Sequence, residues 1–234
     1  MIYVTGDTHI PYDIHKLGAS HFAAQKSLTR EDYVVICGDF GGIWQAHDPE
    51  AEYWLKWLNR KNFTTLFVDG NHENFDLLDA CPVEMWCGGQ VHRIRDNILH
   101  LMRGQVFHID GLKIFTMGGA ASLDKYARVE GKSWWARELP SLAEYEEAAV
   151  NLAEADHQVD FVFTHTAPTS IAAQLRQDPA EKELTDFLEH IKCTVEFRGW
   201  FFGHFHQDID IENKYYAMFN RVMVVWPQKS IEVE

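Results

Sequence analysis

The order of local patterns predicts an α/β protein: a sheet with added antiparallel strands and helices layered outside it. Three observations predict this. Short apolar runs rich in β-branched and aromatic residues alternate with helical spacings over the first third of the chain. Later runs are paired by turn dipeptides, as in hairpins. Most runs end at a Gly or at a polar side chain, the place where open α/β sheets gather ligands.

Five runs read as buried strands: Ile2–Thr5, Tyr33–Cys37, Thr64–Val68, Phe161–Thr164 and 200–202. Three segments read as helices. Asp48-Pro49 is a helix start, and Ala51, Trp54, Leu55 and Leu58 follow at i, i+3, i+4, i+7. Ser141 with Glu144 makes a capping box, ahead of a face of Leu142, Tyr145, Ala149 and Leu152. Asp178, Pro179 and Glu181 repeat the start signal before Leu184, Phe187, Leu188 and Ile191. Runs 106–109 and 112–116 flank Asp110-Gly111, which suits a two-residue hairpin. Runs 215–219 and 222–226 around Asn220-Arg221 read as another.

Composition bounds the function. With 46% hydrophobic and 13% aromatic residues, the 234 residues can bury one large core, so disorder and low complexity are excluded and residues 1–234 read as one domain. A formal net charge of -14 repels a nucleic-acid backbone, so no stable duplex partner is expected. Four scattered cysteines do not make a disulfide framework. With neither a leader nor a run of about eighteen apolar residues, no membrane partner is expected and the setting reads as cytoplasmic. The 13 histidines, many beside Gly, Asp or Asn, point to metal or acid/base chemistry.

The strand ends carry that chemistry. They supply Asp7 and His9 in Gly6-Asp7-Thr8-His9, Asp39 after Gly38, Asn71 and His72 in Gly70-Asn71-His72-Glu73, His165 after Thr164, and His204 and His206 in Gly203-His204-Phe205-His206. Each can ligate a divalent cation or move a proton. On extended backbone, residues two apart point the same way, so Asp7 with His9, and His204 with His206, could each serve one or two ions. Alone, Gly38-Asp39 reads as a turn and Asn71 as a helix N-cap; five such motifs, each after a strand, read as one site.

This ordered set resembles the calcineurin-like metallophosphoesterase superfamily, in particular its small bacterial and phage-type members, from Gly6 to His206. The resemblance implies a four-layer α/β/β/α sandwich of two mixed β-sheets flanked by helices. It implies one ion on Asp7, His9, Asp39 and His206 and a second on Asp39, Asn71, His165 and His204, with Asp39 bridging. The protein Ser/Thr phosphatases of that superfamily follow the second Gly-Asp with Asp-Arg-Gly. Here the chain reads Asp39-Phe40-Gly41-Gly42, so the partner of His72 is open among Asp69, Asp76 and Asp79, and Glu73 reads as structural. The stretch from Gly118 to Glu138 resembles one found in the small bacterial and phage-type members; its Gly-rich turn, Lys125 and Arg128 read as a substrate rim, which makes those two cations candidate substrate contacts, while Trp134 and Trp135 read equally as rim or core.

The expected chemistry is phosphoester hydrolysis of small phosphorylated molecules or nucleotides, mono- or diesters. Two ions lower the pKa of a shared water and hold a phosphoryl group for in-line attack, while His72 protonates the leaving oxygen. Abundant imidazole without thiolate suits Mn²⁺ first, then Fe or Zn²⁺. Two other readings stand beside this one: a nuclease using a local basic rim of Arg93, Arg95, Lys125 and Arg128, and a non-catalytic interaction scaffold of the same fold.

Overall fold

The computed structural model describes residues 1–225. Its first sheet is built from β1 (Ile2–Thr5), β2 (Tyr33–Cys37), β3 (Thr64–Val68), β4 (Val83–Trp86), β5 (Gly89–Arg95), β6 (Ile98–Leu101) and β13 (Met223–Val225), in the order β13-β1-β2-β3-β6-β5-β4. Strands β1, β2, β3 and β6 run parallel, and β13, β5 and β4 join antiparallel. The second sheet holds β7 (Gln105–Ile109), β8 (Leu112–Met117), β9 (Phe161–Thr164), β10 (Gly199–Phe202), β11 (Ile209–Ile211) and β12 (Tyr215–Ala217), in the order β11-β12-β10-β9-β8-β7.

Strand alternation explains the layering. Val35, Leu66 and Val68 face inward and meet Ile114, Phe163 and Phe201 of the other sheet. Their sequence neighbours Val34, Ile36 and Phe67 face outward against Leu55 and Leu58 of helix α1 (Pro49–Asn59). On the far side Phe115, Trp200 and Phe202 pack against Tyr145 and Leu152 of α3 (Leu142–Glu154) and Leu184, Leu188 and Ile191 of α5 (Lys182–Thr194). The molecule is thus the expected sandwich of two mixed sheets between helical layers. Two short helices complete it, α2 (Phe75–Asp79) and α4 (Thr169–Leu175).

The predicted helix starts hold. The Asp48 side chain accepts from Glu50 N, Ser141 and Glu144 form the reciprocal capping box, and Asp178 accepts from Ala180 N at a short 3-10 turn before α5. The Asp110-Gly111 hairpin is also present, with both residues at positive φ. The face of α3 differs from expectation: Ala148, not Ala149, packs inward against Gly104, and Leu142 at the first turn is 72% exposed. The second hairpin is a correction. β12 pairs with β10 and β11, whereas β13 crosses to the other sheet and pairs with β1. Asn220-Arg221 supplies no left-handed pair, and Asp208 instead binds the backbone N–H of Phe219, Asn220 and Arg221, steering the chain away from a tight turn. Trp226, the last residue of that expected hairpin, and the rest of 226–234 lie outside the described residues.

Candidate metal centre

The carboxyl ends of β1, β2, β3, β9 and β10 meet where the two sheets face each other, and the expected polar side chains converge there. One ligand atom each from Asp7, His9, Asp39 and His206 lies within 4.8 Å of the others. His9 Nε2 is 3.2 Å from Asp39 Oδ2, and His206 Nε2 is 3.0 Å from Asp7 Oδ2. On the other side of Asp39, His165 Nε2 lies 3.4 Å from Asp39 Oδ1 and 3.2 Å from Asn71 Oδ1. The His204 ring follows, its centroid 5.0 Å from that of His165. Asp39 therefore stands between two sets of side chains.

Glycines make this approach possible. A Cβ on Gly70 would overlap Asp39, and one on Gly203 would overlap the Asp7 carboxylate and Cys37 O, so adjacent strand ends could not close on each other. The spacing argument itself needs correction. His9, Asp39, His204 and His206 all adopt positive φ, so the paired residues converge through left-handed turns rather than through strand alternation. Four non-glycine residues in that region represent backbone strain concentrated at one site, about 1 kcal/mol or more each.

Three of the four imidazoles are fixed from behind. His9 Nδ1 is 2.8 Å from Asp13 Oδ2, His165 Nδ1 donates to Cys37 O at 2.8 Å, and His204 Nε2 is 2.7 Å from Glu181 Oε1. The opposite nitrogen of each ring is left to the cluster, the arrangement that metal-ligating histidines require. Asp7 Oδ2 is buried, and among the described residues no group approaches it in hydrogen-bonding geometry; the nearby His206 nitrogen is not aligned to donate. An orphaned carboxylate oxygen facing an N/O donor set fits a divalent cation.

The electrostatics agree. Burial raises the Asp39 carboxyl, but His165, His9 and His72 reverse this and hold it well below the usual range. Burial lowers His165 and His9, and the facing carboxylates more than compensate, taking them to about 10 and about 9. Two buried carboxylates thus demand positive charge, from protonated imidazoles or from cations that displace those protons. Burial together with the Asp39 charge pushes Glu73 up to about 8, and its side chain accepts from Phe40 N at 2.7 Å, tying the Asn71 loop to the Asp39 loop.

Residues 1–208 match the model of the calcineurin-like phosphoesterase family. The chain belongs to that family. The lariat debranching enzyme of Schizosaccharomyces pombe is 29% identical over 204 residues, covering 75% of this chain and 42% of that protein. A solved Staphylococcus aureus structure assigned as a 5′-nucleotidase, in complex with alpha-ketoglutarate, superposes with a TM-score of 0.52 at 17% identity, over 94% of this chain and 49% of that one. The chain therefore spans less than half of either relative, and the second likeness shows the fold alone.

Within this calcineurin-like phosphoesterase, His72 has an unexpected neighbour. Asp69 is taken by Arg103 and His100, Asp76 accepts from Trp135 Nε1, and Asp79 pairs with Arg137. Facing His72 is Arg128, whose Nη1 donates to His72 Nδ1 at 3.2 Å while Nε pairs with Asp124 at 2.7 Å. Lys125 stands apart, its Nζ 6.0 Å above the half-buried Trp134 ring; Trp135 is core. Arg93 and Arg95 pair with Glu84 and Glu52, so the expected basic rim does not assemble among the described residues. The sequence reading missed Lys16, Asp13, Glu181 and Arg176. Lys16 is buried and donates to Asp7 O at 2.5 Å and to Phe219 O; burial brings its pKa down to about 8. No helix among the described residues is long and apolar enough to cross a membrane.

Proposed function

We propose that the chain hydrolyses phosphoesters of small molecules or nucleotides at a two-ion centre, Asp7, His9, Asp39 and His206 holding one cation and Asp39, Asn71, His165 and His204 the other. The observation that carries this reading is the position of Asp39 between two sets of rings, with the outer nitrogens of His9, His165 and His204 already engaged. Divalent cations there, Mn²⁺ or else Fe or Zn²⁺, supply Lewis acidity towards the phosphoryl oxygens and a nucleophile at neutral pH.

The protein's own groups do the rest. Arg128 can only donate, so His72 Nδ1 accepts and the proton of the neutral ring sits on Nε2. That N–H is the group offered to the leaving oxygen. Glu181, Asp13 and Cys37 O keep the ligand imidazoles in single orientations, and Lys16 clamps the Asp7 segment to the Phe219 loop. The four free cysteines suit the cytoplasmic setting in which we place this activity.

The test is metal content and turnover together. Wild-type protein purified with Mn²⁺ should carry two ions and hydrolyse 4-nitrophenyl phosphate or bis(4-nitrophenyl) phosphate. Asp39→Asn should lose both ions together. Loss of one ion alone refutes the bridge, and failure of the wild type to take up any transition metal refutes the reading.

A further inference from the structure

The cleft over the candidate centre has two lobes that meet at His72 and His206, and their chemistry differs. The larger, about 540 Å³, is walled by Tyr12, Trp44, Asp13, Asp48 and Glu50, with no Lys or Arg in its lining among the described residues. The smaller, about 210 Å³, is walled by Ser122, Asp124, Arg128 and Arg176. Charge is thus segregated across the phosphoryl position, with an acidic, aromatic side and a guanidinium side.

The acidic lobe is built to take a flat uncharged ring. Trp44 is braced by Trp135, edge to face at 5.5 Å between centroids, and its backbone carbonyl accepts from Asn74 Nδ2 at 2.9 Å. Its other neighbour is His72, 6.4 Å away, so a ring stacked on Trp44 lies beside the group offered to the leaving oxygen. Three carboxylates around it repel phosphate and attract the amino edges of a base. On the opposite side Arg128 is already held by His72 and Asp124. Arg176 is exposed and follows the last turn of α4; among the described residues its guanidinium has one hydrogen-bond contact, His204 Nε2 at 3.3 Å, one cation–π contact, the Phe205 ring, and no carboxylate partner. It is available for an anion.

We propose that the cleft recognises a nucleotide bearing a second phosphoryl group, its base against Trp44 in the acidic lobe and its second phosphate against Arg176 in the other. This rests on the phosphoesterase reading and adds the substrate class. It orients the substrate, because an anion placed beside Asp48 and Glu50 would be repelled.

The test compares adenosine 3′,5′-bisphosphate, adenosine 5′-monophosphate and ribose 5-phosphate with the Mn²⁺-loaded protein, by steady-state kinetics and by calorimetric binding. The wild type should favour the bisphosphate. Trp44→Ala should raise KM and Kd for both nucleotides about tenfold and leave ribose 5-phosphate within about twofold, with Trp44→Phe intermediate. Arg176→Gln should bring the bisphosphate down to the level of the monophosphate, about tenfold, with Arg176→Lys partly restoring it. Equal losses on all three compounds would assign Arg176 to the scissile group and overturn the proposal, as would a wild type indifferent to base and second phosphate. Absence of any hydrolysis alongside the expected binding pattern would sink the phosphoesterase reading and leave the recognition site standing.

Discussion

At His72 a guanidinium occupies the position where a carboxylate was expected. Burial, with Arg128 and neighbouring imidazoles, holds the ring below its usual pKa against the opposing pull of Asp39, so its proton is placed by geometry, on the nitrogen that Arg128 leaves free. His72→Ala should keep both ions yet slow an alkyl phosphate by about a hundredfold to ten-thousandfold, and an activated aryl phosphate much less. Equal loss on the two substrates, measured as kcat, would remove the proton-donor role. A second residue makes a pH prediction. Glu138 is buried against Ser122, accepting from its N and Oγ at 2.9 Å each, and burial pushes its carboxyl up to about 7 from 4.5. Between those values the native chain holds a proton that the unfolded chain has released, so this group's contribution to stability falls as pH rises through the window. Glu138→Gln should therefore gain on the wild type between pH 5 and pH 8, by on the order of 2 kcal/mol in urea unfolding. Parallel loss in the two proteins would show a carboxylate ionised throughout. The residues differ in legibility. His72 announces itself inside Gly-Asn-His-Glu, whereas nothing in the chain says that Arg128 closes on His72, 56 residues away, or that Glu138 folds back on Ser122.

Helix α3 covers the second sheet, and its exposed capping box can be tested without touching the site. Ser141 Oγ accepts from Glu144 N, while Glu144 accepts from Ser141 N at 2.6 Å. Ser141→Ala should cost about 1 kcal/mol in urea unfolding, Ser141→Asp should recover most of it, and metal content should not move. No loss on Ser141→Ala would mean that packing alone holds the helix start. Capping signals and buried strands are the elements that could be read in advance, because both are local. A run such as Val34-Val35-Ile36 is buried on both faces and needs no partner to declare itself. β4, β5 and β6 were not legible. Glu84 interrupts β4, Gln90, Arg93 and Arg95 interrupt β5, and His100 breaks the four-residue β6, while the edge strand β4 exposes Val83 and Met85. β12 and β13 were legible as strands but not as neighbours, since each finds its partner from distant chain. Local spacing carries no information on which of two sheets a three-residue strand joins.

Across the whole molecule, the sandwich makes one site from strand ends up to two hundred residues apart, and the same convergence links metal binding to folding. The proposed ligands were legible because each follows a strand. Lys16, Asp13 and Glu181 were not, because their contacts exist only once the sheets are packed. Asp7 and Asp39 are both buried, and the unfolded chain has no such cage, so a cation that binds the native state stabilises it by mass action. At a hundredfold excess over its dissociation constant one ion contributes about 2.7 kcal/mol, roughly 5 to 10 °C in Tm for a chain of this size. Chelation should lower the melting temperature by at least that amount, and Mn²⁺ should restore it. Asp39→Asn should abolish the rise, since the residue between the two sets of imidazoles is gone, whereas His72→Ala should keep it. Calorimetric scans of the three proteins with and without Mn²⁺ separate the cases. Wild-type protein melting at the same temperature in chelator and in Mn²⁺ would mean that the imidazoles alone neutralise the buried carboxylates, and that the cage binds no ion.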